Sequence, residues 1–145
     1  MTTVAFHLQV NDKLAYGCRL LRKAVSKGSR LVVTADADAL ARLDQVLWTF
    51  SATDFVPHCT LGTTGSVLRK SPVLLAQTLQ GFAPQGFILL NLGSQVPVGF
   101  TGFERIIELV ANDDDERRLA RQRWKHYLNA GVQPVKFDLD QPNNT

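Results

Sequence analysis

The residues best suited to chemistry are His58 and Cys59, which are adjacent in the sequence PHCT. A cysteine nucleophile needs a base within hydrogen-bond reach, and neighbours in an extended chain usually point to opposite sides. His7 is placed on a predicted strand and His126 on a predicted helix, so the histidines do not form a metal triad. Three consecutive aspartates, residues 113–115, precede a predicted helix, where negative charge complements the helix dipole. These residues therefore predict neither an enzyme centre nor a metal site.

The turns that could bind a nucleotide phosphate contain no glycine. A phosphate-binding loop is a Gly-rich turn between a strand and a helix, with backbone N–H groups facing the anion. The turns after the first two predicted strands are QVNDK and TADAD, and the stretch LGTTGSVLRKS lacks the GxxxxGK[ST] spacing. We therefore expect no cofactor, and a nucleotide-binding α/β protein is kept as an alternative.

The segment DDDERRLARQRWKHYLNAG, at 113–131, predicts a long helix with one basic face. Arg117, Arg121 and Lys125 recur every four residues and therefore share a side of the helix. Trp124 lies beside this row, whereas Tyr127 is expected to face the core. A basic row with an adjacent indole suits a partner that presents carboxylates and an aromatic group. The alternative is a solvated face with Trp124 packed inward, and periodicity alone favours that alternative.

A second pair of aromatic residues lies near the middle of the chain. Trp48 ends a predicted helix that already has a row of leucines, and Phe55 follows in a loop. Large aromatic side chains in such places are either satellite core or interface anchors. The sequence alone does not decide between the two.

The order of predicted elements indicates an α/β fold. Alternating apolar residues predict a strand at 3–9, and apolar runs predict strands at 30–35, 73–76 and 87–92. The final VQPVKFDL is expected to form an edge strand, because Pro134 cannot donate to a ladder.

Helices are predicted between these strands and after them. Helical spacing of apolar residues predicts one helix at about 12–27, capped by Asn11 or Asp12 and ended by Gly28, and a second that begins at Asp36. A third is predicted from Phe103 through ERIIELV, ahead of the long basic helix, whereas 51–72 is read as irregular. Alternating strands and helices predict one three-layer domain, whose largely parallel sheet is covered by helices on both faces, as in nucleotide-binding folds.

The composition is that of an ordinary globular protein. The 145 residues are 45% hydrophobic and 20% charged, with a formal net charge of +3. We find no apolar run of the roughly 20 residues that span a bilayer, and MTTVAFHLQVNDK does not resemble a secretion signal. Cys18 and Cys59 form no metal-spaced motif, so they are expected to be reduced thiols in a cytoplasmic protein.

Several separated motifs resemble one family in their order and spacing. They are YGCRLLRKAVSKG at 16–28, LDQVLWTF at 43–50, FVPH at 55–58, FILLNL at 87–92, FERIIELV at 103–110 and ARQRWKHYLNAG at 120–131. Each motif is weak alone, but together they cover nearly the whole chain. The sequence resembles the chi subunit of the bacterial DNA polymerase III holoenzyme.

The resemblance implies an accessory subunit without a catalytic site of its own. Residues 1–140 would form a chi-type α/β domain, and 141–145 a polar tail. Chi proteins pair one-to-one with the psi subunit, which attaches to the clamp loader. They also bind the acidic C-terminal tail of single-stranded-DNA-binding protein, so that they meet DNA only indirectly and no membrane. In some relatives a repair helicase shares the psi-facing surface.

The family's binding residues carry over to seven positions of this sequence. The tail ends in two aspartates, isoleucine, proline and phenylalanine with a free carboxylate, and its pocket would comprise Val110, Arg117, Arg121, Trp124 and Lys125. The surface for psi or a helicase would include Trp48 and Phe55. A direct binder of single-stranded DNA is the other alternative, although few aromatic residues lie near basic ones to stack bases.

Overall fold

The computed structural model describes residues 2–49, 58–60, 72–80 and 82–138, without the side chains of 48, 49 and 58–60. In chain order the elements are β1 (Thr3–Val10), α1 (Lys13–Ser26), β2 (Arg30–Thr34), α2 (Ala37–Thr49), β3 (His58–Thr60), β4 (Val73–Ala76), β5 (Phe87–Asn91), a 3-10 turn (Phe100–Gly102), β6 (Arg105–Ala111), α3 (Asp114–Asn129) and β7 (Val135–Asp138).

The described strands form one seven-stranded sheet in the order β3-β4-β2-β5-β6-β1-β7. Every pair of neighbouring strands runs parallel. The inner strands are buried on both faces, which explains why β2, β4 and β6 are nearly continuous apolar runs instead of alternating ones. The predicted parallel α/β sheet is therefore confirmed.

Helices cover the two faces of the sheet and enclose two separate cores. On one face, Cys18 and Leu21 of α1 and Leu43 of α2 belong to a buried cluster with alternate residues of the inner strands. On the other face, Ala120 and Tyr127 of α3 are buried in a second cluster with the opposite side chains of those strands. The three-layer architecture is therefore confirmed for the described residues.

Short acidic side chains cap the helices where the sequence predicts them to begin. The Asp12 carboxylate accepts a hydrogen bond from the backbone N–H of Ala15 at 3.1 Å, and Asp36 accepts one from Ala39 at 2.8 Å. Gly28 follows α1 with a φ of 84°, a conformation that residues with a Cβ rarely adopt. Asx capping and a terminal glycine thus fix α1 at both ends.

The prediction of a helix from Phe103 through ERIIELV is wrong, because these residues form the central strand β6. Residues 106–110 are all buried, with no polar face turned to solvent. A short apolar run fits a buried strand as well as a helix, and a helix could turn the Glu108 carboxylate toward solvent. That carboxylate is instead buried in the core, next to a cationic partner on α3.

Three further predicted strands are present in the structure. The strands predicted at 73–76 and 87–92 are confirmed as β4 and β5, and the final edge strand is confirmed as β7. The segment 51–72, interpreted as irregular, contains the short strand β3. The predicted boundary at residue 140 and the polar tail lie outside the described residues.

Cys18 is a free thiol inside the core. Burial, together with the nearby Asp12 carboxylate, raises the pKa of this thiol to about 11. Within the described ranges, no helix combines the length and apolar character that crossing a bilayer requires.

Candidate functional site

A cleft of about 440 Å³ lies between α3 and the sheet strands β1, β6 and β7. We call it the α3 cleft, and its lining residues are Phe6, Leu8, Val110, Arg117, Ala120, Arg121, Trp124, Lys125 and Lys136. All five residues predicted for tail binding, which lie on two different elements, are among them. The structure therefore brings the predicted set together in one cavity.

The helix α3 turns its basic row toward the cleft because its opposite side is held in the core. Asp113 accepts a hydrogen bond from the backbone N–H of Glu116 at 3.1 Å and thereby fixes the first turn. Ala120, Arg123 and Tyr127 are buried against the sheet. At helical spacing, these buried positions leave Arg117, Arg121 and Lys125 along the rim of the cleft.

Trp124 is half-buried and forms part of the apolar wall. Its ring centroid lies 5.1 Å from that of Phe6, at an interplanar angle of 50°. Phe6 in turn contacts Tyr127 edge-on at 5.9 Å. The sequence leaves inward packing and a place on the binding face as alternatives for Trp124, and in the structure the indole both packs on Phe6 and lines the cleft.

The cations of the cleft differ in their availability. Arg117 donates from Nη1 to the Asp114 carboxylate at 2.8 Å, and from Nη2 to the Asn112 side-chain oxygen. In the described part of the chain, Arg121 and Lys125 form no ion pair, and both side chains are exposed. Since none of the described residues that line the cavity is acidic, its electrostatics favour an anionic ligand at Arg121 and Lys125.

Lys136 is a fourth lining cation, which the sequence analysis did not identify. Its Nζ lies 5.5 Å from the centroid of the Trp124 ring, in a cation–π arrangement. Lys136 pairs in register with Phe6 of β1, and this pairing explains why it faces the cleft. Alternation along VKFD separates Lys136 from its apolar neighbours, but only the strand order reveals which face of the sheet it joins.

A buried polar network anchors α3 beneath the cleft. Glu108 of β6 accepts hydrogen bonds from Arg123 Nε at 2.9 Å and from Tyr127 Oη at 2.6 Å, and also from the Asn91 amide. Burial raises the pKa of the Glu108 carboxyl above its ordinary value of 4.5, against the opposing effects of Arg123 and of these hydrogen bonds. Neither Glu108 nor Arg123 was assigned a role from the sequence.

The predicted surface for psi lies largely outside the described residues. Trp48 is in the last turn of α2, but its side chain is not described, and Phe55 falls in an omitted segment. The chain reaches β3 soon afterwards, at the edge of the sheet opposite to β7. Trp48 and Phe55 therefore stay predictions.

The residues first considered for catalysis have other places in the fold. His58 and Cys59 lie on β3, with their side chains outside the description. The acidic run begins α3 as predicted, with Asp113 as its cap. The described residues contain no cluster of His, Cys, Asp and Glu that could hold a metal ion. The N-termini of α1 and α2, where a phosphate could bind, each have an aspartate carboxylate at their first N–H groups.

Solved structures match the fold at low sequence identity. The C-terminal domain of the DEAD-box protein Dbp5 aligns with a TM-score of 0.57 and 12% identity, covering 97% of this chain and 92% of that one. A Saccharomyces cerevisiae Dbp5 C-terminal domain, bound to Gle1 and IP6, aligns with a TM-score of 0.58 and 14% identity, over 94% and 90% of the two chains. These likenesses confirm the α/β architecture.

Sequence relatives are considerably more specific. DNA polymerase III subunit chi of Escherichia coli strain K12 is 28% identical over 140 residues, which cover 90% of this chain and 94% of that protein. The subunit of the same name from Pseudomonas aeruginosa is 29% identical over 138 residues, covering 90% and 92%. The Haemophilus influenzae subunit is 26% identical over 109 residues, or 74% of each chain.

The family-level match spans almost the whole sequence and includes every residue of the α3 cleft except Lys136. The model of the family described as DNA polymerase III chi subunit, HolC, matches residues 1–135. With relatives of that name aligned over most of their own lengths, the chain belongs to the DNA polymerase III chi subunit family.

Proposed function

We propose that the α3 cleft binds the acidic C-terminal tail of single-stranded-DNA-binding protein, and that the chain is an accessory subunit that links this protein to the polymerase. The observation that supports the proposal best is the composition of the cleft. It combines an apolar wall with two exposed cations that have no ion-pair partner among the described residues.

The charges of the cleft suit the charges of the tail. Arg121 and Lys125 are one helical turn apart, so two carboxylates of an extended peptide can reach them together. Arg121 has the planar guanidinium that binds a carboxylate with two parallel hydrogen bonds. Arg117 is already paired with Asp114, which offsets part of its charge, so we expect it to contribute less to tail binding than Arg121 or Lys125.

The apolar wall suits the terminal phenylalanine of the tail. Val110 is 2% exposed and forms the base of the cleft, while Trp124 and Leu8 are only partly buried. An aromatic side chain in this position would cover the exposed part of the indole, and its free carboxylate would lie near the basic rim. Burial of apolar surface would contribute most of the binding free energy, and the ion pairs with the cations would fix the position of the peptide along the cleft.

The test is fluorescence anisotropy of a labelled tail peptide, titrated with the parent chain and with two single variants. We expect Arg121→Ala to weaken binding about tenfold, because a paired charge is lost from a partly desolvated site. Arg118→Ala is the matched control, since Arg118 is exposed on α3 but does not line the cleft. Equal affinity of Arg121→Ala and the parent chain would contradict the proposal.

We also propose that Trp48 and Phe55 belong to a surface for the psi subunit, which connects the chain to the clamp loader or competes there with a repair helicase. The α3 cleft lies beside β1 and β7, whereas α2, which contains Trp48, packs on β4 next to the other edge strand, β3. Two partners at opposite edges can bind together without overlapping, as a bridging role requires.

Simultaneous binding is tested by measuring the affinity of the tail peptide with and without saturating psi. We expect the same dissociation constant in both titrations, within about twofold. We also expect Phe55→Ala to reduce psi binding while leaving tail binding as in the parent chain. Mutually exclusive binding of psi and the tail would contradict the bridging role.

A non-catalytic role is part of the same proposal. In α/β enzymes that bind nucleotides, helix N-termini near the carboxyl ends of the strands usually receive the phosphate. Here Asp12 and Asp36 occupy those positions with carboxylates, which would repel a phosphate. Saturable binding of ATP or NAD in equilibrium dialysis would overturn this part of the proposal.

A further inference from the structure

A second groove, of about 360 Å³, lies on the face of the sheet opposite to α3. We call it the α1 groove and define it by the lining residues Lys23, Lys27, Ile88, Arg105, Ile107 and Phe137. It runs between α1 and the sheet, from Ile88 on the inner strand β5 to Phe137 on the edge strand β7. None of the five residues predicted for tail binding lines this groove.

Three cationic side chains, which form no ion pair with a described acidic residue, surround the groove. Lys23 lies in the last turn of α1, Lys27 is the C-cap residue of that helix, and Arg105 begins β6. All three line the groove. All three side chains are exposed, and none of them forms an ion pair with a described residue. Among the residues that the structure describes, no aspartate or glutamate lines the cavity. The groove therefore has a positive potential that is suited to an acidic ligand.

The floor of the groove is aliphatic, and its edge has exposed apolar surface. Ile88 and Ile107 contribute the floor, and Phe137 of β7 is 42% exposed. Val135 points to the same face, since it also alternates with Lys136, and it is 52% exposed. An edge strand with two exposed apolar side chains beside a basic groove is characteristic of an interaction surface.

The aromatic rings at the end of the groove are packed against one another. His7 Nδ1 and the Tyr16 hydroxyl form a hydrogen bond at 2.6 Å, and the His7 ring contacts Phe137 at 5.3 Å and an angle of 58°. Burial, with a smaller effect of Arg105, lowers the pKa of His7, so the imidazole adds no charge at neutral pH. Tilted, mutually packed rings form no platform of parallel faces for stacked bases. An aliphatic floor favours a peptide side chain over a nucleobase.

We propose that the α1 groove is a second docking site, which takes an acidic peptide segment of a partner protein with an aliphatic side chain between its carboxylates. The carboxylates lie against Lys23, Lys27 and Arg105, and the aliphatic side chain covers Ile88 and Ile107. This site is independent of the α3 cleft, because the sheet separates the two.

The test is an NMR titration of the ¹⁵N-labelled full chain with the blocked peptide acetyl-Asp-Leu-Glu-Leu-Asp-Leu-Glu-amide. Blocked ends remove the free carboxylate on which binding in the α3 cleft would depend. We expect amide shifts to change at 23–27, at 105–107 and around Phe137. We expect the double variant Lys23→Ala with Lys27→Ala to weaken these changes about fivefold, and Arg42→Ala, an exposed cation on α2, to leave them unchanged.

Each other outcome overturns the inference. Shifts confined to the α3 cleft, or absent altogether, would show that the groove does not bind acidic peptides. Stronger shifts at the groove with oligothymidylate than with the peptide would assign it to single-stranded nucleic acid. Repeating the titration in Arg121→Ala separates the two sites, since binding in the α1 groove should not change there. Thermal unfolding of the double variant checks that both replacements leave the fold intact.

Discussion

At the scale of single residues, the described core contains an ion pair between Glu108 and Arg123. Both side chains are almost completely buried, and their oxygen and nitrogen atoms are 2.9 Å apart. One guanidinium nitrogen of Arg123, Nη2, forms no hydrogen bond with any described residue. Such a pair contributes little compared with apolar packing, but removing one member leaves an isolated buried charge.

We therefore expect Glu108→Gln to lower the free energy of unfolding by about 3–5 kcal/mol, as seen when buried ion pairs lose one partner. Urea denaturation of the parent and variant measures this difference. Asp115→Asn, which removes one side of an exposed pair with Arg118, is the control and should change stability little. A loss below about 1 kcal/mol would mean that Glu108 is protonated in the folded state, because glutamine replaces a neutral carboxyl closely.

The same residue shows why part of the site could not be predicted from the sequence. A glutamate between isoleucine and leucine resembles the polar face of a helix, and its partners Arg123 and Tyr127 come much later in the chain. Only the packing of α3 on β6 brings them together. By contrast, Arg121, Trp124 and Lys125 lie on one helix, so local periodicity was enough to place them on neighbouring faces.

At the scale of elements, α3 positions the site and depends on how its N-terminus is capped. Its first turn contains Asp114, Asp115 and Glu116, and Asp113 satisfies the backbone N–H of Glu116. We expect Asp113→Ala to reduce the free energy of unfolding by about 0.5–2 kcal/mol, the usual range for a lost N-cap. Thermal or urea unfolding measures the loss.

Asp115→Ala is the matched control for the cap. It removes the same kind of side chain from the same turn, but it leaves the cap hydrogen bond intact. A smaller loss is expected for Asp115→Ala than for Asp113→Ala. Equal losses of unfolding free energy in the two variants would indicate that negative charge near the helix N-terminus, and not the cap hydrogen bond, stabilises the start of α3.

Some element boundaries can be predicted from residues close in sequence, whereas other elements depend on contacts between distant parts of the chain. The ends of α1 and α2 follow from local signals, namely the aspartate caps and Gly28, and the structure confirms them. The strand β6 was mistaken for a helix because its burial on both faces depends on its position between β5 and β1. That position is a property of the whole sheet.

At the scale of the whole molecule, the sheet separates two basic sites on its opposite faces. The α3 cleft and the α1 groove share edge strand β7, where Lys136 faces the first and Phe137 the second. The fold class was predictable from the alternation of strands and helices. The order of the strands in the sheet could not be predicted from the sequence. The contribution of Lys136 to the α3 cleft and the existence of the α1 groove depend on that order, so they could not be predicted either.

The most direct test of tail binding in the α3 cleft is isothermal titration of the parent chain with the acidic tail peptide at about 50 mM and about 200 mM salt. Binding at low salt, weaker at the higher salt and lost when the terminal phenylalanine is removed, is the result that we predict. Salt would screen the ion pairs that Arg121 and Lys125 form with the peptide carboxylates. Truncation would remove the aromatic side chain that covers Trp124. No binding at either salt, or equal binding of the truncated peptide, would contradict the assignment of the α3 cleft to the tail.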